Sequence, residues 1–553
     1  MNKEYQKSNI KVGLIVDTVF SSKYNYSLCK YFKNNQKINI SHLIIQTQRI
    51  KNKNLISKLK YLIPNNYNKL LKILLWRVII IIEKIKLKKT KYSDHFKQYD
   101  LSYFVKKTIY TQPVLSKNNL LNFTNFDLAK IRKEKFDLLI RCGSGILTGE
   151  ILNISKYGII SFHHGDNKIN RGGPPCFWEV FYSINKTGFI IQKLNEELDG
   201  GKILKRGFFP TQPYFLLNQA IMYSRSNYYM KLLIIKIANE EKLEFEKFSY
   251  PYFNKLYKLP NTIDQIIYII YQFKNFISNF FLTKILRYKK KWHIAFYKSD
   301  WSNLVMRKSI IIKNKKNHFL ADPFLLQFED KCYCFMENYD FIKSKASICA
   351  FEFNETKYKF LGNVIEESFH ISFPYIFKFK SDIFMVPETS DNRDLRIYRA
   401  SDFPMKWKLF NTIFKDIYCS DSMIFQYDEK WWLFTNIDPT NTGEYPSELH
   451  IFYSDDPLSG KWSPHSSNPI INDIDMLRNA GILYQNNKIF RVSQKYGFNQ
   501  YGESLFLNKI NTLNINEYIE TICHEIKPSF FNNIKATHHI HSNGIYTVFD
   551  FYR

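Results

Sequence analysis

Cysteine is sparse and scattered along this 553-residue chain. Its eight cysteines are Cys29, Cys142, Cys176, Cys332, Cys334, Cys349, Cys419 and Cys523, and no C-x-x-C pair occurs among them. Cys332 and Cys334, one residue apart, would point to opposite faces of a strand. This excludes a cysteine zinc site and implies reduced thiols in a cytoplasmic protein. No G-x-G-x-x-G is present, so no dinucleotide is expected. The longest apolar run, Leu70 to Ile85, is broken by Arg77 and Glu83 and is too short and too charged to span a bilayer. The first residues, Met1 to Asn9, are polar, and no signal peptide is expected. Acidic residues are the scarcer charge, with 50 Asp and Glu against 79 Lys and Arg, a net charge of +29. No RNA- or DNA-reading motif accompanies that excess, so no nucleic-acid partner is expected.

What is present points to more than one domain, because a chain this long exceeds a single core. Lys11 to Asp17 reads as a buried strand, Tyr24 to Phe32 as a helix and Ile40 to Gln46 as a second strand, the opening of a doubly wound sheet. Phe136 to Arg141 reads as a third strand. The tight turn Cys142-Gly143-Ser144-Gly145 follows it, then a short helix from Leu147 to Ile154. The stretch Gly158 to Leu204 organises this half. Its apolar run stops abruptly at His163, His164, Gly165 and Asp166, and a second strand, Gly188 to Leu194, leads to Asp199 before Gly200 and Gly201. Titratable side chains at a strand end are how open α/β sheets build a site.

These residues resemble the catalytic core of the folate-dependent formyltransferases. The family pattern G-x-I-N-x-H-P-S-L-L-P-x-Y-R-G, then T-G and L-D-x-G-x-I, is matched in register by Gly158, His163, Arg171, Gly172, Pro175, Trp178, Thr187, Gly188, Leu198, Asp199, Gly201 and Ile203. Ser161 stands where the family has its catalytic Asn, His164-Gly165 replaces Pro-Ser, and Asp166-Asn167-Lys168 replaces Leu-Leu-Pro. The resemblance implies that His163 stabilises the developing oxyanion and Asp199 shuttles protons, with Ser161 in the place of the catalytic Asn, too short to reach as far, and Asp166 or His164 compensating for the lost amide. It also implies formyl-tetrahydrofolate as donor, lying beside Cys142, Gly143, Ser144, Gly145, Asp199 and Gly200. The alternative is a formyltransferase fold that has lost the reaction.

Lys51 to Lys91 holds twelve Lys or Arg and one acid, Glu83. It reads either as a helical insertion, residues 51–95, packed on the domain with a solvated basic face, or as an amphipathic helix on an anionic membrane surface. Phe215 to Ala238 reads as one long helix closing an α/β domain over residues 1–260. Residues 261–291 read as a helical connector that could also touch membrane, which would place the protein at the inner face of the membrane.

From Trp292 to Arg553 short aromatic-rich β runs recur, as in a propeller or sandwich. This half resembles five-bladed propellers of the furanosidase (glycosyl hydrolase family 43) kind and the propeller domain of glucosamine inositolphosphorylceramide transferase-type proteins. The matching pieces include A-D-P-F at Ala321, F-M-E-N at Phe335, V-P-E-T at Val386, D-S-M-I-F at Asp421 and R-N-A-G at Arg478. The resemblance implies a glycan site at Asp322, Glu337, Glu388, Asp421 and Arg478, with Asp322, Glu388 and Asp421 as acid, base and pKa modulator and Glu337 competing for a role, or else with the carboxylates pinning turns as scaffold. His538-His539-x-His541 has the look of a metal run, but alternation splits it between two faces, and no metal is expected. The joint expectation is a formyltransferase-like enzyme acting on an amino sugar, nucleotide sugar or glycan in surface polysaccharide biosynthesis. The alternative is a glycan-binding propeller protein with a degenerate first domain.

Overall fold

A computed structural model describes residues 9–47, 67–116, 120–169, 171–196, 200–246, 255–440, 443 and 446–553. The chain divides into two compact units. One is Met1–Gly207 with Thr211–Asn279, and the other is Phe208–Pro210 with Phe280–Arg553.

The first unit is built on a seven-stranded sheet. In spatial order its strands are Lys202–Pro210, Lys186–Lys193, Ile159–His163, Leu138–Arg141, Ile10–Val16, Ile38–Gln46 and Lys107–Thr111. The last five pair in parallel, and Ile159–His163 pairs antiparallel with Lys186–Lys193. Strand Ile10–Val16 is apolar and buried on both faces, as a central parallel strand must be. Its successor by helix, Ile38–Gln46, lies on one side and Leu138–Arg141 on the other, so the doubly wound order reverses between them. Between the third strand and the expected short helix, the chain instead forms a strand, Ile146–Thr148, and one 3₁₀ turn, Glu150–Asn153. Gly149 at φ 80° starts that turn and blocks a longer helix.

Three helices meet at one buried carboxyl. Helix Phe215–Ala238 has Tyr214 at its N-cap, without a side-chain cap bond. Glu83 of helix Tyr67–Leu87 supplies the missing acceptor, taking the Leu216 N–H at 3.1 Å. A carboxyl suits a helix N-terminus, where unpaired N–H groups point outward. Tyr268 of helix Thr262–Phe280 donates to the other Glu83 oxygen at 2.5 Å, and Gln272 donates to the Pro213 carbonyl at 2.8 Å. The helix read as a connector is thus packed on the first unit, and the unit boundary falls at its end.

The second unit holds five four-stranded antiparallel sheets. Four are consecutive along the chain: His318–Phe328 to Lys357–Ile365, Ser372–Phe379 to Lys406–Lys415, Cys419–Tyr427 to Ser463–Pro464, and Asn479–Gln485 to Tyr518–Ile526. The fifth joins the two ends of the unit, because Trp292–Tyr297 pairs with Thr547–Tyr552, which pairs with Ile540–Ser542. The leading strands of successive sheets lie side by side. Their inward residues form a core that includes Phe324, Phe335, Phe373, Phe384, Trp432 and Phe434. The aromatic richness read from composition is what fills these sheet-to-sheet gaps.

Candidate active sites

The first site lies where the parallel sheet reverses order. A cavity of about 480 Å³ opens there, walled by residues that include Asp17, Phe20, Tyr24, Cys142, Gly143, Ser161, His164 and Tyr223. Asp17 follows the first strand. It accepts from the Ser144 amide at 3.0 Å, the Ser144 hydroxyl at 3.1 Å and Gln46 Nε2 at 2.6 Å. Arg141 donates to the Ser144 carbonyl and, at 2.8 Å, to that of Gly145. Ser144 and Gly145 are therefore engaged in holding their own turn, while Cys142 and Gly143 face the cavity. A Cβ on Gly143 would meet Arg141, Gln46 and Asp17 at 2.8 to 2.9 Å, so glycine lets this network close. Burial pushes Arg141 down to about 10 and the Cys142 thiol up to about 12. At neutral pH the guanidinium is charged and the thiol protonated, so Cys142 is a wall group and not a nucleophile.

Ser161 reaches the cavity, but its hydroxyl donates to the Phe162 carbonyl at 3.1 Å. His164 packs 4.1 Å from the Tyr223 ring, and burial pushes it down to about 3, which makes it a neutral aromatic wall. His163 ends its strand opposite Ile190, half-buried, and is not one of the wall residues. Asp166 is buried against Arg206, which also bonds Glu246 at 2.9 Å. It accepts the Lys168 amide as well, at 3.1 Å, so it is held as a counter-ion away from the cavity wall. Asp199 lies outside the described residues. Gly200 accepts Asn195 Nδ2 at 2.9 Å. Gly172, in the Arg-Gly pair of the motif, sits at φ 97°, where a Cβ would lie 2.1 Å from the Tyr257 carbonyl oxygen. That glycine is required by a two-stranded pairing of Arg171–Gly172 with Leu256–Tyr257.

The second site is generated by a repeat. The leading strands of four sheets carry a bulge at the same point, after Ala321, Ser372, Ser420 and Asn479. The next residue in the first three is Asp322, Phe373 or Asp421, each at φ between 46° and 50°. A bulge re-aims its side chain, and left-handed backbone at non-glycine residues clusters at functional sites. Glu337 and Glu388 occupy equivalent places on the second strands, opposite Ala321 and Ser372.

The five residues named from sequence come together here. Arg478 grips Asp421 with two bonds, 2.6 and 2.9 Å, and stacks 4.9 Å over Tyr501. Glu388 accepts from the Asp421 amide at 3.3 Å and from Ser390 at 2.6 Å. Asp322 lies 3.2 Å from His538 Nε2, and Asp550 lies 2.8 Å from His538 Nδ1. Glu337 stands 3.7 Å from His370.

The electrostatics separate these acids. Burial opposes charge on Asp322, but His538 beside it holds it below the usual carboxylate range. Burial also opposes charge on His538, yet Asp550 and Asp322 on either side push it up to about 10. Burial, followed by Asp421, pushes Glu388 up to about 7. Burial, then Asp322, holds Glu337 well above its ordinary value. The surroundings therefore favour the charged form of Asp322 and the protonated form of Glu337 and hold Glu388 near neutrality, a separation of the kind acid–base chemistry uses.

His538, Asp550, Trp292 and Tyr501 complete this site and were missed from sequence. The Trp292 and Tyr501 rings lie 3.9 and 5.1 Å from His538. A charged Asp550 inside the apolar run T-V-F-D-F-Y was the available signal. His539 and His541 both pack on Phe324, at 4.5 and 5.2 Å, apart from His538's bonds to Asp322 and Asp550. The ligand-type atoms of Asp322, His538 and Asp550 lie within 4.8 Å of one another. With His538 protonated the trio is satisfied as carboxylate–imidazolium–carboxylate. It becomes a ligand set only when the imidazole is neutral.

Known proteins bear on both halves. Residues 301–542 match the family model described as Glucosamine inositolphosphorylceramide transferase 1, N-terminal. The likeness is to two families, one in each half. Glucosamine inositolphosphorylceramide transferase 1 of Oryza sativa subsp. japonica is 37% identical over 210 residues, which are 37% of this chain and 28% of that protein. Methionyl-tRNA formyltransferase of Wolbachia pipientis subsp. Culex pipiens is 34% identical over 122 residues, 20% of this chain and 39% of that protein, and this match falls in the N-terminal part. The chain thus spans well under half the length of either relative. A family-43 glycoside hydrolase structure aligns at 13% identity and TM-score 0.30, covering 39% of this chain and 77% of that one, a likeness too slight to carry argument.

Proposed function

We propose that the protein is a carbohydrate-directed transferase. In this reading the five sheets of the second unit are the blades of a propeller, closed by the pairing of its two ends, and they hold a sugar at Asp322, Glu337, Glu388, Asp421 and Arg478. The first unit moves a formyl group from formyl-tetrahydrofolate to an amino sugar, with His163 and Asp199 handling charge and protons. The carrying observation is the second site, where neighbouring carboxyls are pushed apart in pKa beside a paired guanidinium and the half-buried rings of Trp292 and Tyr501, the equipment of a site that binds hydroxyl groups and moves their protons.

The donor has a fitting place in the first cavity. Its volume is in the range of small-molecule pockets. Phe20, Tyr24, Phe162 and Tyr223 offer faces for a flat heteroaromatic ring, and Gly143 leaves the backbone open beside Asp17 and Arg141. The bound donor would supply an activated formyl carbon. The chain's own part is to orient it, exclude water and relay the amine proton.

A second reading is favoured by one observation. The Ser161 hydroxyl is turned to Phe162, so it does not supply the oxyanion donor that the family's Asn provides, and the neutral His164 offers only an uncharged N–H in its place. On that reading the first unit binds without transferring, and the chemistry sits on the second unit alone. The test is incubation of the full chain with formyl-tetrahydrofolate and a panel of free and nucleotide-linked amino sugars, read by mass spectrometry. Gain of one formyl group, lost in His163→Ala, supports formyl transfer. Glycosyl transfer or hydrolysis without formylation selects the second reading.

A further inference from the structure

Two helices of the first unit turn their apolar faces to water. In Thr262–Phe280 the buried residues are Gln265, Tyr268 and Gln272, each bonded to a neighbouring segment. The exposed ones include Ile263 at 68%, Ile270 at 61%, Phe273 at 62% and Ile277 at 49%. At about 100° per residue, the two sets lie on roughly opposite sides of the helix. Helix Tyr67–Leu87 repeats this. Ile79, Glu83 and Leu87 face inward, while Leu70, Leu74, Val78, Ile81 and Ile85 are 44% to 58% exposed and fall within an arc of about 80°. Water-facing helices ordinarily show the reverse. The helices are neighbours, joined at Glu83–Tyr268, with Lys86 Nζ 4.8 Å from the Phe276 ring.

Charge on this pair has one sign. Lys69, Arg77, Lys84, Lys88, Lys89 and Lys91 are exposed. The single acid of helix Tyr67–Leu87, Glu83, is 1% exposed, and that of Thr262–Phe280, Asp264, accepts from the Asn261 amide. Among the described residues no helix is long and apolar enough to cross a membrane. Exposed Ile, Leu and Phe flanked by Lys and Arg, with Asp264 the one half-exposed acid on the two helices, match a surface of acyl chains under anionic headgroups. A nucleic acid would reward the cations but not the isoleucines.

We propose that these two helices dock the protein on an anionic phospholipid bilayer, lying in the plane of the interface with Ile270, Phe273, Leu74 and Ile81 in the headgroup–acyl boundary. The full chain should co-sediment with phosphatidylcholine vesicles containing about one third phosphatidylglycerol, and poorly with phosphatidylcholine alone. Ile270→Glu with Phe273→Glu should weaken binding at least about tenfold. Charge reversal at Arg77, Lys84, Lys88 and Lys89 should weaken it by roughly fivefold or more per residue. All six side chains are exposed, so the circular dichroism melt should be unchanged. The proposal is overturned if the wild type sediments with neither vesicle, or if either variant binds like the wild type. It is also overturned if the wild type is a dimer that Ile270→Glu dissolves, since the face would then be a contact between copies.

Discussion

Two glutamates, one in each unit, are held at the same place on the pH scale for the same leading reason. Burial pushes Glu83 up to about 7 in the first unit and Glu388 up to about 7 in the second. Their surroundings differ. Glu83 is 1% exposed and meets neutral donors, the Tyr268 hydroxyl and the Leu216 amide, which pull against the shift. Glu388 is only half-buried and meets ionisable groups, with Asp421 raising it, Arg478 lowering it and Asp322 raising it again. The first joins three helices, and the second faces a group of other acids and a guanidinium. A shifted carboxyl alone does not mark a site; the charges around it and its access to solvent do.

The largest effect that sharpens this contrast is on turnover. Glu388→Gln keeps the shape and removes the proton. If the second unit carries chemistry on the sugar, the change should cost that reaction about a hundred- to ten-thousand-fold in kcat, the usual worth of a general acid–base group, and if that unit only holds the sugar it should raise KM with kcat unchanged. Glu83→Gln should leave kcat per folded molecule unchanged. Equal losses in the two variants would erase the distinction.

Stability should show the next effect. Asp421→Ala leaves the Arg478 guanidinium buried without its carboxylate, and breaking such a pair costs about 3 to 5 kcal/mol. The Asp421→Ala, Arg478→Met double variant should recover much of that loss in a urea melt. A single variant as stable as the wild type would show that water already reaches the pair.

The third effect concerns the first unit. If its cavity lacks only an oxyanion donor, Ser161→Asn should raise formyl transfer by about a hundredfold, the worth of one such donor. No gain would favour a first unit that binds without transferring. Where formyl transfer is observed, His163→Ala, Asp199→Ala and the double variant should lose similar amounts, because a pair acting as one unit is non-additive.

Much of this was legible in the residues, for physical reasons. Parallel strands announce themselves as apolar runs, and helix Phe215–Ala238 emerged with the bounds its periodicity gives. Asp322, Glu388 and Asp421 read from sequence as strand–turn junctions, whereas Asp322 and Asp421 lie inside strands at a bulge and Glu388 ends its strand. The bulge that makes Asp322 and Asp421 equivalent was not visible, since backbone at φ near 50° has no residue signature at Asp or Phe. His538 and Asp550 were missed because they join the site across the pairing of the unit's two ends, which depends on long-range register. Asp166 was read as a catalytic substitute because its partner, Arg206, lies forty residues on and carries no local mark. The inside-out helix Thr262–Phe280 was read as an apolar connector, because periodicity gives a stripe without saying which side faces inward.

The smallest effect, and the finest test of the contrast, is in pH dependence. Each glutamate binds its proton more tightly folded, at about 7, than unfolded, near the ordinary 4.5. Between those values the native state carries more protons than the unfolded chain, so stability falls as pH rises. Each contribution is fully present below about 4.5 and lost by about 7. Glu83→Gln should therefore flatten the decline in urea midpoint between pH 5 and 8. It should not move the alkaline limb of turnover, because a structural carboxyl does not touch the substrate. If the second unit carries chemistry on the sugar, the wild-type kcat should fall on the alkaline side near pH 7 as Glu388 loses its proton. Tyr268→Phe sharpens the same point. It removes the hydroxyl that lowers Glu83, so the carboxyl should hold its proton to higher pH and the stability window should widen upward, with the turnover profile unchanged. If Tyr268→Phe shifts the turnover profile instead, the two glutamates are coupled and the division drawn between them fails.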